Sequence, residues 1–434
     1  MDSGTGAARR AAYGGPQEAA DRERWTRRRF VGALGGVAAG SALAGCGGDG
    51  DPSGVREAPR GAPPRQSSSA APTSAAPMAS PDPSSDPSPG LSGARPLYLG
   101  TYTSAQGGGK GIGVASYDSA SGRITGKGTI TGVPDPSYLA VHPDGATLYA
   151  VDERDPGAVT AVRLSDEQVL GSRATGGAGT CHLTVHPGGR WLLSADFGSG
   201  TVAVHPIDAS GALGERTDMV RHSRPAPLPG RQGPHAHQVV TAPDGGHVLA
   251  VDFGTDTVYS YRLDDRTGTL TEVSRAQTRP GAGPRHLAFH PGGRHAYLAN
   301  EADDTIVVCA YEPSSGRLTI GRPQSTGSTA ETNYPAQPVV TPDGAYAFLA
   351  NRGDDTVARY TVEADGARLR LLGTTPVEGD FPRQIALSPD GGLLFAANQR
   401  SGTVSVFRVD VTNGGLRLAG EPFASPVAVC ALPV

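Results

Sequence analysis

Short apolar segments separated by Pro-Asp-Gly turns recur along most of the chain. A representative unit runs over residues 233–252, where two apolar segments flank Pro243-Asp244-Gly245. Proline presets φ for a turn, aspartate can bond its own backbone, and glycine tolerates positive φ, so the unit is predicted to be a β-hairpin. The same pattern occurs at five other turns, whose prolines are Pro143, Pro187, Pro291, Pro342 and Pro389.

The spacing of these hairpins predicts the fold class. Successive turn prolines are 44, 56, 48, 51 and 47 residues apart, a period typical of a β-propeller rather than a sandwich or barrel. Two further strands follow each hairpin, as over residues 257–263 and 269–273, and no stretch has a helical pattern. The first unit, residues 97–130, lacks an inner strand, whereas residues 426–432 form an inner strand without a blade. We therefore predict an all-β, seven-bladed propeller over residues 95–434, closed by the C-terminal strand joining the first blade.

The N-terminal region has the pattern of an export signal. Thr26-Arg27-Arg28-Arg29-Phe30 precedes a short apolar run over residues 31–45, and Leu43-Ala44-Gly45-Cys46 resembles a lipobox. The run is too short for a membrane-spanning helix, so residues 1–46 are predicted to be a twin-arginine (Tat) signal with lipidation at Cys46. The alternative is a soluble protein without a signal. Residues 47–94, rich in Gly, Pro and Ser, are predicted to be a disordered tether.

Charge and cysteine content narrow the classes of partner. With 38 basic and 42 acidic residues the net charge is −4, and no basic stripe indicates a nucleic-acid partner. Four cysteines are too few for a disulfide framework. Cys181, Cys309 and Cys430 lie in different repeats and are predicted to be buried free thiols rather than nucleophiles.

Antiparallel pairing about each turn predicts which side chains share one rim of the ring. Residues six before a turn proline should lie opposite those nine or ten after it, within a register slip of one residue. Six before are Ser137, Cys181, His237, Arg285, Ala336 and Arg383. Nine after are Asp152, Asp196, Asp252, Asn300, Asn351 and Asn398. Ten after are Glu153, Phe197, Phe253, Glu301, Arg352 and Gln399.

Repetition separates structural residues from candidate catalytic ones. His142, His186 and His290 recur before the turn proline on the opposite rim, so we interpret them as part of the turns. The residues that differ from their counterparts in the other repeats are His235, His237, Arg285, Glu301 and Arg352.

This non-repeated set indicates hydrolysis of an ester or lactone that carries an anionic group. Arginine binds carboxylate or phosphate through paired hydrogen bonds and stabilises an oxyanion. The general base would be either His237, oriented by Asp252 across its hairpin, or Glu301, and the sequence leaves both open. Equally, Glu301 and the arginines could form interblade ion pairs with no catalytic role.

Two further features leave alternatives open. His235-Ala236-His237 has a metal-ligand spacing, although no third ligand is apparent. The longest repeat interval carries extra residues that would form either a lid over the mouth or a variable loop. These residues include Arg221, His222, Arg224, Pro225, Pro227, Pro229 and Arg231.

Several motifs together resemble one known family. They are residues 97–103 (LYLGTYT), Gly233-Pro234-His235-Ala236-His237, Gly283-Pro284-Arg285-His286-Leu287, Asn300-Glu301 and Asn351-Arg352-Gly353-Asp354-Asp355. In this order they resemble the seven-bladed propeller lactonases, which include bacterial propeller-type 6-phosphogluconolactonases and fungal carboxymuconate-lactonizing enzymes.

The resemblance implies the seven-bladed fold and a metal-independent site at His237, Arg285, Glu301 and Arg352. We assign substrate-binding roles to His235, Asp252, His286 and Arg383. Where many relatives have Ala-Glu, this chain has Ala336-Gln337.

The prediction is a lipid-anchored, monomeric lactone hydrolase at the outer face of the cytoplasmic membrane, with a small-molecule lactone as substrate and no cofactor. An exported enzyme would meet plain sugar lactones or other anionic lactones rather than an intracellular phosphorylated one. The alternative is a non-catalytic propeller that binds a ligand or another protein.

Overall fold

The computed structural model describes residues 93–223 and 233–434, which contain 29 strands and no helix. Within these residues no helix has the length and apolarity needed to cross a membrane. The predicted signal, including Cys46, and nearly all of the predicted tether lie outside the described residues.

The strands form seven antiparallel sheets, the blades of a β-propeller. Blade 1 contains β1 (Ala94–Thr101), β2 (Gly111–Asp118) and β3 (Ile124–Thr131). Blade 2 contains β4 (Leu139–Val141), β5 (Thr147–Asp152), β6 (Ala158–Arg163) and β7 (Gln168–Ala174). Blade 3 contains β8 (Thr180–Val185), β9 (Trp191–Asp196), β10 (Thr201–Pro206) and β11 (Asp218–Arg221). Blade 4 contains β12 (Ala236–Thr241), β13 (Val248–Asp252), β14 (Thr257–Asp264) and β15 (Thr269–Gln277).

The remaining blades follow the same plan. Blade 5 contains β16 (Pro284–Phe289), β17 (His295–Asn300), β18 (Thr305–Glu312) and β19 (Arg317–Ser325). Blade 6 contains β20 (Tyr334–Val340), β21 (Tyr346–Arg352), β22 (Thr356–Glu363) and β23 (Arg368–Pro376). Blade 7 contains β24 (Pro382–Leu387), β25 (Leu393–Asn398), β26 (Thr403–Val409), β27 (Leu416–Leu418) and β28 (Phe423–Ala424). The last strand, β29 (Ala428–Pro433), returns to blade 1.

The pairing of β29 with β1 closes the ring and confirms the predicted closure. Leu97 pairs with Pro433 and Leu99 with Ala431. The side-chain amide of Gln384, in blade 7, accepts from the Ala431 N–H at 2.9 Å and donates to its carbonyl at 3.2 Å. The C-terminal strand is therefore bonded to blade 1 on one side and to blade 7 on the other.

The core lies between adjacent blades. The second strand of most blades is buried along its whole length, as in β9 and β25. In one cluster Leu193 and Val204 of blade 3 pack against Val239 and Ala250 of blade 4. The blades are thus held face to face by apolar side chains, which leaves the strand ends to form the two rims.

The turn histidines join neighbouring blades on the rim of the Pro-Asp-Gly turns. His142 Nε2 of blade 2 lies 2.8 Å from the carbonyl of Gly189 in blade 3. His186 Nε2 of blade 3 lies 3.1 Å from the carbonyl of Gly245 in blade 4. His290 Nδ1 accepts the Gly292 N–H of its own turn at 3.0 Å, so all three repeated histidines have the structural role that we interpreted for them.

A β-bulge recurs near one end of the inner strand in six blades, where the ladder skips a residue. In blade 4, Ala236 pairs with Asp252 and Gln238 with Val251, which leaves His237 in the bulge. The sequence placed the residue six before the proline opposite the rim residues, but the residue seven before is the one that pairs. Because a bulge re-aims the extra side chain, this local irregularity determines what faces the axis.

Because Gln384 bonds both the N–H and the carbonyl of Ala431, we predict that a proline at position 431 destabilises the fold. Ala431→Pro removes an N–H that Gln384 accepts, leaving a buried amide oxygen without its donor. We expect the free energy of unfolding to fall by about 1–3 kcal/mol, measured by urea denaturation.

Val411→Pro is the matched control. Val411 is 70% exposed in a turn in which Asn413 N–H bonds the Asp410 carbonyl, a position where proline is favoured. Equal destabilisation by the two prolines would contradict a special role for the closing strand.

Candidate active site

A pocket on the propeller axis receives side chains from all seven blades. Its empty volume is about 210 Å³, which includes space open to solvent. It is lined by Ser137, Tyr138, Cys181, His237, Arg285, His286, Gln337, Arg383, Gln384 and Val429. Six of these are bulge residues of the inner strands, namely Cys181, His237, Arg285, Gln337, Arg383 and Val429.

Glu301 lies between two buried arginines. Its Oε2 is 3.1 Å from Nε of Arg285, in the same blade, and 2.5 Å from Nη2 of Arg352, in the next blade. The arginine side chains are 2% and 0% exposed, whereas Glu301 is 17% exposed. Arg352 also stacks over the Phe381 ring at 5.2 Å. The ion pairs allowed by the sequence are present, and they hold Arg285 at the pocket wall.

His237 belongs to a contiguous group of imidazoles. Its Nδ1 lies 3.2 Å from Nε2 of His286, and the His286 ring meets the His182 ring edge-on at 5.1 Å between centroids. Burial, reinforced by the Arg285 charge, lowers the pKa of His182 to about 3 and holds the pKa of His286 well below its usual value. Both rings are therefore neutral near neutral pH.

His235 lies beside His237 but faces a different partner. Its ring stacks on Phe197 at 4.7 Å, and its Nδ1 is 2.7 Å from the Phe197 carbonyl. Phe197 also meets His237 edge-on at 5.5 Å. In the part of the chain that the structure describes, no three His, Cys, Asp or Glu side chains converge in a way that could hold a metal ion.

Asp252 does not orient His237, and that expectation was wrong. Its Oδ2 lies 2.7 Å from Nδ1 of His222, and its Oδ1 accepts the backbone N–H groups of His235 and Thr255. Burial alone would raise the Asp252 pKa, but these hydrogen bonds and the His222 charge lower it. With no exposed surface, Asp252 is a structural carboxylate.

The other residues nine after the turn proline explain this outcome. Asn300 Nδ2 donates to Thr305 Oγ1 at 2.9 Å and Asn398 Nδ2 to Thr403 Oγ1 at 3.2 Å, while Asp196 Oδ2 accepts from Thr201 Oγ1 at 2.6 Å. The residues nine after the turn proline therefore stabilise the turn between the second and third strands of their blades, by bonding the threonine that begins the third strand. Asp252 lies at this same repeat position, so its role is structural like that of its counterparts.

The family model described as "Lactonase, 7-bladed beta-propeller" matches residues 96–433. The chain belongs to this lactonase family. Its relatives support its assignment as a hydrolase of the lactonase class.

The lactonase relatives include a curated protein and two solved structures. The 6-phosphogluconolactonase of Bacillus subtilis (strain 168) is 30% identical over 289 residues, covering 65% of this chain and 82% of the relative. A periplasmic gluconolactonase of Pseudomonas aeruginosa superposes with a TM-score of 0.73 at 29% identity, covering 79% of this chain and 99% of that one. A putative 6-phosphogluconolactonase of Bacteroides fragilis also gives 0.73, at 28% identity and with coverages of 80% and 100%.

Of the eight residues predicted for this lactonase site, four line the pocket directly: His237, Arg285, His286 and Arg383. Glu301 and Arg352 reach it through the ion pair with Arg285, and His235 lies one aromatic ring away. Asp252 is the one that points elsewhere.

A second carboxylate centre at the pocket was missed. Glu153 Oε2 accepts from Tyr102 Oη at 2.8 Å and from Ser137 Oγ, and both its oxygens lie 3.4 Å from Nη2 of Arg383. Arg383 also lies over the Tyr102 ring at 5.5 Å. Glu153 occupies the same repeat position as Glu301, so its position in the repeat was the signal that could have identified it.

The residues five before the turn proline were also missed as site residues, apart from His286, although Gln337 was already noted where many relatives have glutamate. Tyr138, Gln337 and Gln384 line the pocket, and the His182 ring lies 4.0 Å from the Tyr138 ring, tilted by 34°. Strict strand alternation places neighbours on opposite faces, whereas the bulge lets both residues of a consecutive pair face the axis.

The extra residues of the longest interval have two different placements. Arg221 ends β11, the outer strand of blade 3, and His222 packs on the Tyr259 ring at 4.0 Å. These two residues do not overhang the mouth. Residues 224–232 lie outside the described residues, so the choice between a lid and a loop stays a prediction.

Cys181, Cys309 and Cys430 are buried free thiols, as predicted. Burial raises the pKa of Cys309 and Cys430 to about 12, and raises that of Cys181 well above its usual value. A protonated thiol is a weak nucleophile, so Cys181 contributes to the pocket wall rather than to attack.

The His222–Asp252 pair predicts a large and pH-dependent loss on substitution. His222→Ala leaves a fully buried carboxylate without its imidazole partner, which typically costs about 3–5 kcal/mol of the free energy of unfolding. Because the folded pKa of Asp252 is depressed, its stabilisation is present above about pH 4 and is lost as the pH falls toward that folded pKa. Urea unfolding of wild type and variant should therefore differ most near pH 7 and converge in acid.

His247→Ala is the control for this substitution, because His247 is in the same blade and bonds the neutral Tyr311 hydroxyl at 3.1 Å. A loss from His222→Ala no larger than that control, or one independent of pH, would contradict the assignment.

Proposed function

We propose that the chain opens a sugar lactone or another anionic lactone by general-base attack of water, without a metal or other cofactor. The observation that carries the proposal is the convergence of His237 and Arg285 on one axial pocket, with Glu301 and Arg352 fixing Arg285 from behind. The named functions of the relatives support lactone chemistry and do not favour the non-catalytic alternative.

His237 is the proposed general base. It lines the pocket directly, whereas Glu301 contacts the pocket through Arg285 and has Oε2 shared between two guanidinium groups. His286, kept neutral by burial, has Nε2 within hydrogen-bond distance of His237 Nδ1 and so fixes the ring orientation. Glu301 is then a positioning residue that keeps the two arginines together.

The reaction follows from these placements. His237 takes a proton from water as the water oxygen bonds to the lactone carbonyl carbon, giving a tetrahedral oxyanion. Arg285 donates to that oxyanion, and a preorganised donor of this kind typically contributes about 3–4 kcal/mol. When the intermediate collapses, the ring C–O bond breaks, and protonated His237 returns its proton to the leaving alkoxide. The product is an open-chain hydroxy acid.

Substrate contacts are proposed for Arg383, His286 and His235. Arg383 and His286 line the pocket, while His235 lies beside the pocket residue His237, with Phe197 in contact with both rings. Arg383 is held by Glu153, so its charge is fixed at the wall facing an anionic group. We also propose that a single chain forms the complete site, since all seven blades of one ring supply the lining.

Export and lipidation are part of the proposal. They rest on Arg27-Arg28 before an apolar run and on the lipobox ending at Cys46. The Pseudomonas aeruginosa relative is described as periplasmic, so a location outside the cytoplasm is compatible with this family. An exported enzyme would act on plain sugar lactones or other anionic lactones.

Substitution of the proposed base separates it from the positioning carboxylate. We expect His237→Gln to lower kcat for D-glucono-δ-lactone hydrolysis by about 10²–10⁴-fold and to abolish the rise of rate with pH, because no group then accepts the water proton. Glu301→Gln should retain the pH dependence while lowering kcat/KM. Initial rates across a pH series, corrected for spontaneous hydrolysis, provide the measurement.

His247→Gln, outside the pocket, is the matched control and should leave the rates unchanged. Exhaustive chelation should also leave wild-type activity intact. If Glu301→Gln abolishes the pH dependence and His237→Gln preserves it, the two roles must be exchanged. Activity equal to wild type in both variants would exclude this site.

The anchor is tested separately from the chemistry. Cys46→Ser should release the exported protein from the membrane fraction into the soluble extracytoplasmic fraction, because the thiol that carries the lipid is gone. Arg27→Lys with Arg28→Lys, which keeps the charge, should instead retain the precursor in the cytoplasm. Fractionation and immunoblotting in a host with a twin-arginine pathway measure both. An unchanged distribution in both variants would contradict export by this route.

A further inference from the structure

A second layer of the pocket lies one residue closer to the turns than most of the bulge residues. It contains His182, His286 and Gln337, contributed by blades 3, 5 and 6, each five residues before its turn proline. We refer to these three residues as the neutral layer. His286 and Gln337 line the pocket directly, and His182 lies edge-on to His286 at 5.1 Å.

The neutral layer contains buried polar atoms that the chain itself does not satisfy. Within the described residues, both ring nitrogens of His182, Nδ1 of His286 and Oε1 of Gln337 have no hydrogen-bond partner. The two histidines are 4% and 2% exposed. Leaving a buried polar atom without a partner is costly, and these four border one pocket, so hydrogen-bonding groups of a ligand would complete the layer.

The same repeat position in other blades shows how such atoms are otherwise satisfied. The Gln238 amide donates to the Leu287 carbonyl at 3.1 Å and accepts its N–H at 2.8 Å, which joins blade 4 to blade 5. Gln384 bonds Ala431 in the same way. Gln337 has the same side chain at the same position, yet its amide oxygen has no such partner and faces the pocket.

The layer is uncharged and can both donate and accept. Burial keeps the pKa of His182 at about 3 and that of His286 well below its usual value, so each neutral ring has one N–H and one lone pair, although Nε2 of His286 is already used in its contact with His237. Burial also raises the pKa of the neighbouring Tyr138 phenol far above neutral pH. No member of the layer carries a charge of its own, because the arginines, whose charges help to keep the imidazoles neutral, belong to the bulge residues and the rim. A hydroxyl group, which donates one hydrogen bond and accepts others, matches these partners.

We propose that the neutral layer binds the hydroxyl groups of the substrate, so that His286 and Gln337, supported by His182, select polyhydroxylated lactones over deoxygenated ones. This inference rests on the lactonase function proposed above and narrows its substrate class. Sites built to bond a hydroxyl can discriminate against the analogue lacking it by up to about 10⁴–10⁵-fold, because the buried partners are then left unpaired.

Binding of two open-chain acids tests the proposal without requiring turnover. D-Gluconate and hexanoate have the same carbon number and the same carboxylate, and they differ in their hydroxyl groups. Titration calorimetry with wild-type protein should show gluconate binding at least about tenfold more tightly than hexanoate. Long-range ¹H–¹⁵N spectra of the imidazoles should show the His182 and His286 signals shifting with gluconate alone.

Variants locate the selectivity. Gln337→Leu and His286→Phe should bring gluconate affinity down to that of hexanoate while hexanoate affinity stays the same. Gln277→Leu, the same substitution on the exposed outer strand β15, is the matched control and should retain the preference. If a pocket variant fails to fold, the imidazole shifts of the wild-type protein still decide the question.

Hydrolysis separates this proposal from the one on which it rests. Wild-type kcat/KM should be at least about 100-fold higher for D-glucono-δ-lactone than for δ-valerolactone, and Gln337→Leu should narrow the ratio by slowing only the former. Suppose that the protein hydrolyses lactones but binds the two acids equally, or binds neither detectably. That result would overturn the proposed role of the neutral layer and leave the lactonase function standing. Selective gluconate binding without hydrolysis of either lactone would support the neutral layer and overturn the lactonase function.

Discussion

Everything at the pocket depends on the hydrogen-bonded pairing of β29 with β1. Without it blade 1 would have no inner strand, and the wall formed by Val429 would be absent. Apolar side chains hold neighbouring blades together, and the pairing of β29 with β1 closes these blades into a ring with a defined centre. The amide of Gln384 strengthens the seam by bonding the backbone of Ala431 from the adjoining blade.

The bulge in the inner strands turns a repeated scaffold into a site. A regular ladder would place only alternate residues on the axis, whereas the extra residue exposes consecutive pairs such as Arg285 and His286. The pocket therefore has one layer that contains His237 and the charged side chains of Arg285 and Arg383, and beside it the neutral layer. The two glutamates at the rim hold these arginines in place. Glu301 forms ion pairs with Arg285 and Arg352, and Glu153 forms one with Arg383.

The fold was largely predictable because its signals are local and repeated. Turn prolines at a regular interval, an incomplete first unit and an unaccompanied last strand were sufficient to predict seven blades and their closure. The residues His237, Arg285, Glu301 and Arg352 were also identified, since they lie on one predicted rim and on motifs that resemble the lactonase family, and the structure brings them together.

The parts that failed depend on register and long-range contact. A regular hairpin would place Asp252 opposite His237, but the bulge changes the local register and the Asp252 carboxylate bonds His222 instead. The role of Glu153 depends on an arginine 230 residues away in blade 7, a separation that no local pattern encodes. Alternation likewise concealed Gln384, since the bulge at Arg383 in blade 7 lets both residues of the pair line the pocket.

The seam between β29 and β1 has a further consequence for how the chain can be connected. Val434 N–H bonds the Pro96 carbonyl at 3.0 Å, so the two ends of the propeller are neighbours that no covalent bond joins. A short peptide could bridge them, and any exposed turn on the rim of the Pro-Asp-Gly motifs could then supply new termini. Circular permutation would move the non-covalent junction to another blade while leaving the axial arrangement of side chains intact.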